Sequence, residues 1–88
     1  MSKIMIVDDS AVQRKMTIGI VRKIGYQNDI LEAGDVNGAK QELNNHKNEI
    51  GLIIYDWDLP KSAALEFIKT VAKMKILFPD SLLKLHLL

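Results

Sequence analysis

Cysteine is absent from this chain of 88 residues, and proline and aromatic residues are scarce. Without cysteine there is neither a disulfide framework nor a thiolate metal site, so a reducing compartment is the default. We therefore expect a cytoplasmic protein. The length allows one domain with a small hydrophobic core, and we assign residues 1–88 to that domain.

A net charge of one sign and long apolar runs are also missing. Twelve Lys and Arg residues against 11 Asp and Glu residues give a net charge of +1, which argues against a nucleic-acid surface or a polybasic membrane anchor. The first residues lack a signal-peptide pattern. The apolar run at residues 52–55 is too short to cross a bilayer. We therefore expect no nucleic-acid partner and no membrane.

The apolar segments alternate along the chain in a way that predicts a parallel sheet. Residues 4–7 and 52–55 are apolar throughout, which is typical of strands buried on both faces. Residues 29–33 have mixed polarity and suit an edge strand. Helices are predicted over residues 11–24, 36–45 and 63–75, so the order is βαβαβα with right-handed crossovers.

The helix ends and helix faces also follow from the sequence. Ser10 and Asp35 are predicted N-caps, and Gly25 is predicted to end the first helix in the left-handed conformation. Arg14 is expected on the solvent side of that helix. The residues predicted to face inward are Val12, Met16, Ile20 and Ile24 in the first helix, Val36, Ala39 and Leu43 in the second, and Leu65, Ile68, Val71 and Ala72 in the third.

The C-terminal residues allow two interpretations. Residues 83–87 alternate between apolar and polar side chains, which predicts a half-exposed strand. The alternative is a short helix capped by Asp80 or Ser81. We prefer the strand.

Both buried strands are followed by acidic residues: Asp8 and Asp9 after the first, Asp56 and Asp58 after the other. Ligands of parallel sheets bind outside the carboxyl ends of the strands, so these side chains meet if the two strands are neighbours. Clustered carboxylates stay ionised beside a cation, and oxygen ligands favour Mg²⁺ or Mn²⁺. A remaining carboxylate can then attack phosphorus. The alternative is that the aspartates only end the strands.

Two segments resemble the response-regulator receiver domains of bacteria. KIMIVDDS at residues 3–10 is similar to their opening, LIIYDWDLP at residues 52–60 is similar to their phosphoacceptor segment, and the similarity extends to about residue 75. The resemblance implies a flavodoxin-like parallel sheet of order 2-1-3-4. The segment around Trp57 is similar to chemotaxis-type receivers.

The resemblance also implies roles for the acidic residues. Asp56 would accept a phosphoryl group from a sensor histidine kinase in a phosphorelay. Asp9 and Asp56 would bind Mg²⁺ directly, Asp8 would act mostly through water, and Asp58 would contribute its backbone carbonyl. The protein would be a phosphoprotein rather than an enzyme, with at most self-catalysed phosphoryl transfer.

The sequence departs from the receiver pattern near its C-terminus. Receivers usually have a Thr or Ser at the end of the fourth strand, then a last strand followed by Lys, and two more helices. Ser81 and Lys84 do not match those positions, so we expect a C-terminally truncated receiver. The exposed edge of its fourth strand would invite a homodimer, and the signal would pass to a downstream protein target.

Two other functions fit parts of the sequence. A receiver remnant that cannot be phosphorylated would act only as a dimerising interaction module. A phosphatase of the haloacid-dehalogenase type also has an Asp-x-Asp motif after an apolar strand, as at Asp56 and Asp58. In that class, however, the motif normally follows the first strand of the core, whereas here it follows the third.

Overall fold

The computed structural model describes residues 2–56, 61–77 and 84–87, with side chains described over residues 2–56 and 64–73. Trp57, Asp58, Asp80 and Ser81 lie outside the described residues. The elements in chain order are β1 (Lys3–Val7), α1 (Ala11–Ile24), β2 (Ile30–Ala33), α2 (Val36–Asn45), β3 (Ile50–Tyr55), α3 (Lys61–Leu77) and β4 (Lys84–Leu87). The predicted alternation is confirmed, and the C-terminal segment forms the predicted strand.

The four strands form one parallel sheet of order β2-β1-β3-β4, which is the order expected of a flavodoxin-like fold. The position of β1 between two neighbours explains its uninterrupted apolar segment. Ile4 and Ile6 point to one face of the sheet, and Met5 and Val7 point to the other. The sheet therefore has a separate hydrophobic core on each face.

The larger core lies between the sheet and helices α2 and α3. The predicted inward face of α2 is confirmed, since Val36, Ala39 and Leu43 are buried. The Phe67 ring of α3 stacks on Tyr55 of β3, with ring centroids 5.2 Å apart. These side chains pack together with Met5, Val7, Ala33, Ile50, Ile53, Ala64 and Val71.

The predicted inward face of α3 is correct for Val71 and wrong for Leu65 and Ala72, which are exposed. Phe67 takes the inward position instead and is fully buried. Two residues along a helix lie on nearly opposite sides, so burying the large ring of Phe67 turns Leu65 toward solvent.

The smaller core lies between α1 and the other face of the sheet. It contains Ile4, Ile6 and Val21, with Ile18, Ile30, Leu52 and Ile54 packed around them. The predicted inward face of α1 is wrong. Its four residues are exposed: Val12 by 71%, Met16 by 64%, Ile20 by 58% and Ile24 by 68%.

The orientation of α1 has a polar cause. Arg14 is half-buried rather than on the solvent side. Its Nε donates to Glu32 of β2 at 3.1 Å, and its Nη1 donates to the Asp8 carbonyl at 2.6 Å. Because these bonds turn Arg14 toward the sheet, they leave the apolar row on the outside.

The predicted helix ends are confirmed. The Ser10 hydroxyl accepts a hydrogen bond from the Gln13 amide at 3.2 Å, and the Asp35 carboxylate accepts one from the Gly38 amide at 2.7 Å. Gly25 ends α1 with φ at 118°, in the left-handed region. None of the helices in the described part of the chain is both long and apolar enough to traverse a membrane.

Candidate metal and phosphoacceptor site

The ends of β1 and β3 lie side by side at one edge of the sheet. The Asp56 amide donates to the Val7 carbonyl at 2.9 Å, and the Asp8 amide donates to the Ala33 carbonyl at 3.0 Å. The hydrogen bonding of the sheet therefore continues one residue beyond each strand. This fixes the backbone from which the acidic side chains project.

Three of the predicted site residues are brought together here. One carboxylate oxygen each from Asp8, Asp9 and Asp56 can be chosen so that all three lie within 4.8 Å of one another. Asp8 is buried, Asp56 is half-buried and Asp9 is exposed. The cluster therefore opens to solvent at Asp9. Asp58, the fourth predicted member, lies outside the described residues.

The cluster carries negative charge that its surroundings compensate only partly. The pKa of Asp8 is raised above its ordinary value, mainly by burial and further by the charges of Asp56 and Asp9 and a hydrogen bond with Asp56. The Ser10 amide opposes this shift by donating to Asp8 Oδ1 at 2.9 Å. A bound cation would relieve both the burial cost and the repulsion.

The residues present fit a magnesium ion. All three side chains offer hard oxygen donors, and the solvent-facing side would let the ion keep several waters, as Mg²⁺ usually does in proteins. Within the described residues, this is the one group of three or more acidic, His or Cys side chains close enough to share an ion.

Arg14 and Glu32 form a hydrogen-bonded pair next to the acidic cluster. Neither was predicted as a functional residue. Arg14 links the Asp8 carbonyl to Glu32, and Lys15 donates to the second oxygen of Glu32 at 2.9 Å. The Lys15 hydrogen bond, aided by Arg14, lowers the pKa of Glu32. The sequence offered one signal for this pair, the basic Arg14 in the first turn of the helix that follows Asp8 and Asp9. That signal was not enough, because its partner Glu32 lies 18 positions away on β2.

Tyr55, which precedes Asp56, anchors the end of β3 in the core. Its side chain is fully buried and stacked on Phe67, and its hydroxyl has no hydrogen-bond partner in the described part of the chain. Burial and, secondarily, the charge of Asp56 raise the pKa of Tyr55. The ring is therefore a neutral packing group.

A parallel sheet of order 2-1-3-4 places this protein in the flavodoxin-like class of α/β folds. Its acidic cluster lies at the carboxyl ends of β1 and β3. No protein-family model matches the sequence. Chemotaxis protein CheY1 of Helicobacter pylori is 30% identical over 69 residues, which are 78% of this chain and 54% of that protein. A chemotaxis protein CheY homolog of Campylobacter jejuni is 30% identical over 74 residues, 83% of this chain and 55% of that protein.

Solved structures of response regulator receivers also match this chain. A response regulator receiver protein from Pseudomonas putida matches with a TM-score of 0.64 and 26% identity, over 82% of this chain and 57% of that one. A receiver domain protein from Clostridium thermocellum matches in fold with a TM-score of 0.68 and 20% identity, over 99% of this chain and 65% of that one. In sequence the chain is thus similar to chemotaxis-type receivers, and its fold is that of a response-regulator receiver domain. It spans about half the length of the curated relatives it matches.

Proposed function

We propose that this chain is a phosphoryl-accepting receiver in which Asp56 takes the phosphoryl group from the phosphohistidine of a sensor kinase. The observation that carries the proposal is the cluster of Asp8, Asp9 and Asp56, with one oxygen of each within 4.8 Å of the others. Asp56 is half-buried at the end of β3. A donor can therefore approach it from the solvent side, next to Asp9.

The chemistry asks little of the protein beyond placement. A carboxylate oxygen of Asp56 attacks the phosphorus, the P–N bond breaks, and its electron pair passes to the imidazole nitrogen, which takes up a proton. The metal, when bound, supplies positive charge that offsets the charge on the phosphoryl oxygens. Asp9 and Asp56 would bind it directly and Asp8 mostly through water, while the carbonyl of Asp58 would complete the site.

The reaction defines a phosphoprotein rather than an enzyme with turnover. We propose that its partners are a cytoplasmic histidine kinase and a downstream protein target, and that a homodimer forms through the outer edge of β4. In the described residues, β4 is paired with β3 on one side only. An unpaired strand edge is a ready surface for another chain.

The test is intact-mass measurement after incubation with Mg²⁺ and a small phosphodonor such as acetyl phosphate. We expect a mass gain of one phosphoryl group, located on Asp56 by peptide mapping, and no gain in Asp56→Asn. Asp35→Asn is the matched control, because Asp35 caps α2 and is not a member of the cluster; it should be labelled like the unmodified chain.

Two other outcomes would overturn the proposal. Continuous release of free phosphate would identify a phosphatase. No label on a folded protein that still self-associates would identify an interaction module. Fluorescence of the single tryptophan, Trp57, during Mg²⁺ titration separates loss of metal binding from loss of phosphoryl transfer, because the residue follows Asp56 directly in the chain.

A further inference from the structure

The first turn of α2 contains an Asn-Gly pair that lies outside the acidic cluster. Of the five asparagines in the chain, Asn37 is the one that glycine follows. The Asn37 side chain is exposed, so water reaches its carboxamide. Asparagine is a modest helix former and glycine a poor one, and their use together in the first turn of a helix therefore calls for a reason.

The reason for Gly38 lies in the cap of α2. The Gly38 amide donates to the Asp35 carboxylate at 2.7 Å, and Asp35 itself has an extended backbone. A Cβ atom built on Gly38 would lie 3.2 Å from Oδ1 of Asp35 and 3.7 Å from Cβ of Ala33. The first of these distances is shorter than an ordinary van der Waals contact. Glycine therefore lets the capping carboxylate approach the amide closely.

The same glycine makes Asn37 chemically labile. A backbone nitrogen can attack the carboxamide of a preceding asparagine, and glycine obstructs this attack least because it has no side chain. The Gly38 nitrogen bonds to Cγ of Asn37, the bond from Cγ to the side-chain nitrogen breaks, and that nitrogen takes up the amide proton and leaves as ammonia. Water then opens the five-membered succinimide. Opening at the side-chain carbonyl gives aspartate, and opening at the main-chain carbonyl gives isoaspartate.

We propose that Asn37 is a site of spontaneous deamidation and that the Asp35 cap sets the rate of the reaction. In the folded protein, the amide that has to attack is held by the Asp35 carboxylate. The backbone must also leave the helical conformation before the Gly38 nitrogen can reach Cγ of Asn37. The reaction therefore proceeds from a state in which the first turn of α2 is open, and such local openings occur without unfolding of the whole domain.

Other contacts hold the first turn closed on both sides of the Asn-Gly pair. Val36 and Ala39 are buried in the larger core, and the Ala39 amide donates to the Asp35 carbonyl at 3.0 Å. Asp35 thus accepts hydrogen bonds with both its side chain and its main chain. Removing the side-chain acceptor leaves these other contacts in place. It should raise the open population by roughly fivefold, which corresponds to the usual loss on deleting an N-cap.

Prolonged incubation in mildly alkaline buffer, followed by peptide mapping, tests the proposal. In the guanidinium-unfolded chain we expect residue 37 to exchange NH₂ for OH in mass and to give two separable products, aspartate and isoaspartate. The folded chain should react more slowly by roughly tenfold or more, since it reacts only through local opening. The internal controls are the four asparagines that glycine does not follow, Asn28, Asn44, Asn45 and Asn48. Equal rates at residue 37 and at these positions in the unfolded chain would overturn the proposal.

Cap variants test the role of Asp35 in the folded protein. We expect Asp35→Ala to react roughly fivefold faster than the unmodified chain, whereas Asp35→Asn keeps an acceptor oxygen and should stay within about twofold. Ser10→Ala is the matched control, because Ser10 caps α1 through the Gln13 amide in the same way. Its rate at residue 37 should stay close to that of the unmodified chain. Equal increases in Asp35→Ala and Ser10→Ala would contradict control by the cap, as would no increase in Asp35→Ala.

A measurement on the unmodified chain keeps the test valid if Asp35→Ala fails to fold. Local opening of one helical turn exposes little surface, so low concentrations of guanidinium should hardly change the rate at residue 37. A rate that rises in step with global unfolding would overturn control by the cap. Asn37 is not a member of the acidic cluster, so these results are independent of whether Asp56 accepts a phosphoryl group.

Discussion

The Nη1 atom of Arg14 lies 2.6 Å from the main-chain carbonyl oxygen of Asp8, to which it donates a hydrogen bond. The same guanidinium donates through Nε to Glu32 on the neighbouring strand. A side chain of α1 thus holds the backbone at Asp8, the first of the two acidic residues that follow β1. Groups behind a metal site commonly orient the residues that bind the ion.

This bond predicts that Arg14 controls metal affinity. We expect Arg14→Ala to weaken Mg²⁺ binding by roughly tenfold, the scale seen when outer-shell partners of metal ligands are removed. Titration of Trp57 fluorescence with Mg²⁺, or calorimetry, gives the dissociation constant. Arg14→Lys should not restore the affinity, because an ammonium group cannot bridge two acceptors with the fixed geometry of a guanidinium.

Lys15→Ala is the control for that experiment. Lys15 binds the same Glu32 but is 70% exposed and does not touch the Asp8 carbonyl. We expect its Mg²⁺ affinity to stay within about twofold of the unmodified chain, since exposed ion pairs are weak. Equal losses in the two variants would mean that Arg14 acts only through Glu32.

Glu32 predicts how stability changes in acid. Its pKa is lowered below the ordinary value of 4.5, chiefly by the hydrogen bond from Lys15, with Arg14 adding to the effect. A lowered pKa in the folded state contributes stability above pH 4.5, and that stability is lost as the pH falls through the folded-state value.

We expect Glu32→Gln to lower the free energy of unfolding by about 1 kcal/mol at neutral pH, the upper end for a surface ion pair. The difference between the two proteins should shrink below pH 4.5 and vanish once the carboxyl is protonated in both states. Urea unfolding at several pH values measures it. A difference that stays constant down to pH 3 would show that the loss is steric rather than electrostatic.

Ionisation of Asp8 should lower the free energy of unfolding, which is the opposite of the effect at Glu32. Burial, together with Asp56 and Asp9, raises its pKa, so the ionised form costs stability once the pH exceeds the ordinary value of 3.8. We expect Asp8→Asn to stabilise the metal-free protein at neutral pH by on the order of 1 kcal/mol. Asparagine keeps the oxygen that accepts from the Ser10 amide.

Bound Mg²⁺ should reverse the difference in stability between the unmodified chain and Asp8→Asn. A ligand that binds only the folded state raises its stability by mass action, and the unmodified site has the greater negative charge to attract it. We expect Mg²⁺ to raise the unfolding temperature of the unmodified chain more than that of Asp8→Asn. A scan of both proteins with Mg²⁺ and with a chelator measures this. Equal shifts would exclude Asp8 from the metal site.

Much of the fold follows from short-range patterns. Apolar segments bounded by Asp8 and Asp56 predicted central strands, and Ser10, Asp35 and Gly25 predicted helix ends, because each of these signals depends on a few neighbouring residues. The convergence of Asp8, Asp9 and Asp56 followed from the sheet order, which the resemblance to receivers implied. These parts of the prediction are confirmed by the structure.

The errors have a long-range origin. The apolar row of α1 gave the strongest helical pattern in the chain, yet the helix turns Arg14 inward because Glu32 and the Asp8 carbonyl accept from it. Helical periodicity detects apolar rows, and it cannot detect a charged residue whose partner lies on another strand. On α3, the stacking of Phe67 on Tyr55 selected a face rotated away from Leu65.

The corrected face of α3 gives a direct comparison of two neighbouring apolar residues. Phe67 is fully buried against Tyr55, whereas Leu65 is 62% exposed. We expect Phe67→Ala to lower the free energy of unfolding by about 3–5 kcal/mol, because it leaves a cavity between α3 and the sheet. In a domain this small, that is a large share of the total stability.

Phe67→Leu should cost less, and Leu65→Ala should change the free energy of unfolding by less than about 0.5 kcal/mol, as is usual at the surface. Urea unfolding of the three variants in dilute solution measures these differences. Comparable losses for Leu65→Ala and Phe67→Ala would mean that α3 packs through the face that its sequence first indicated.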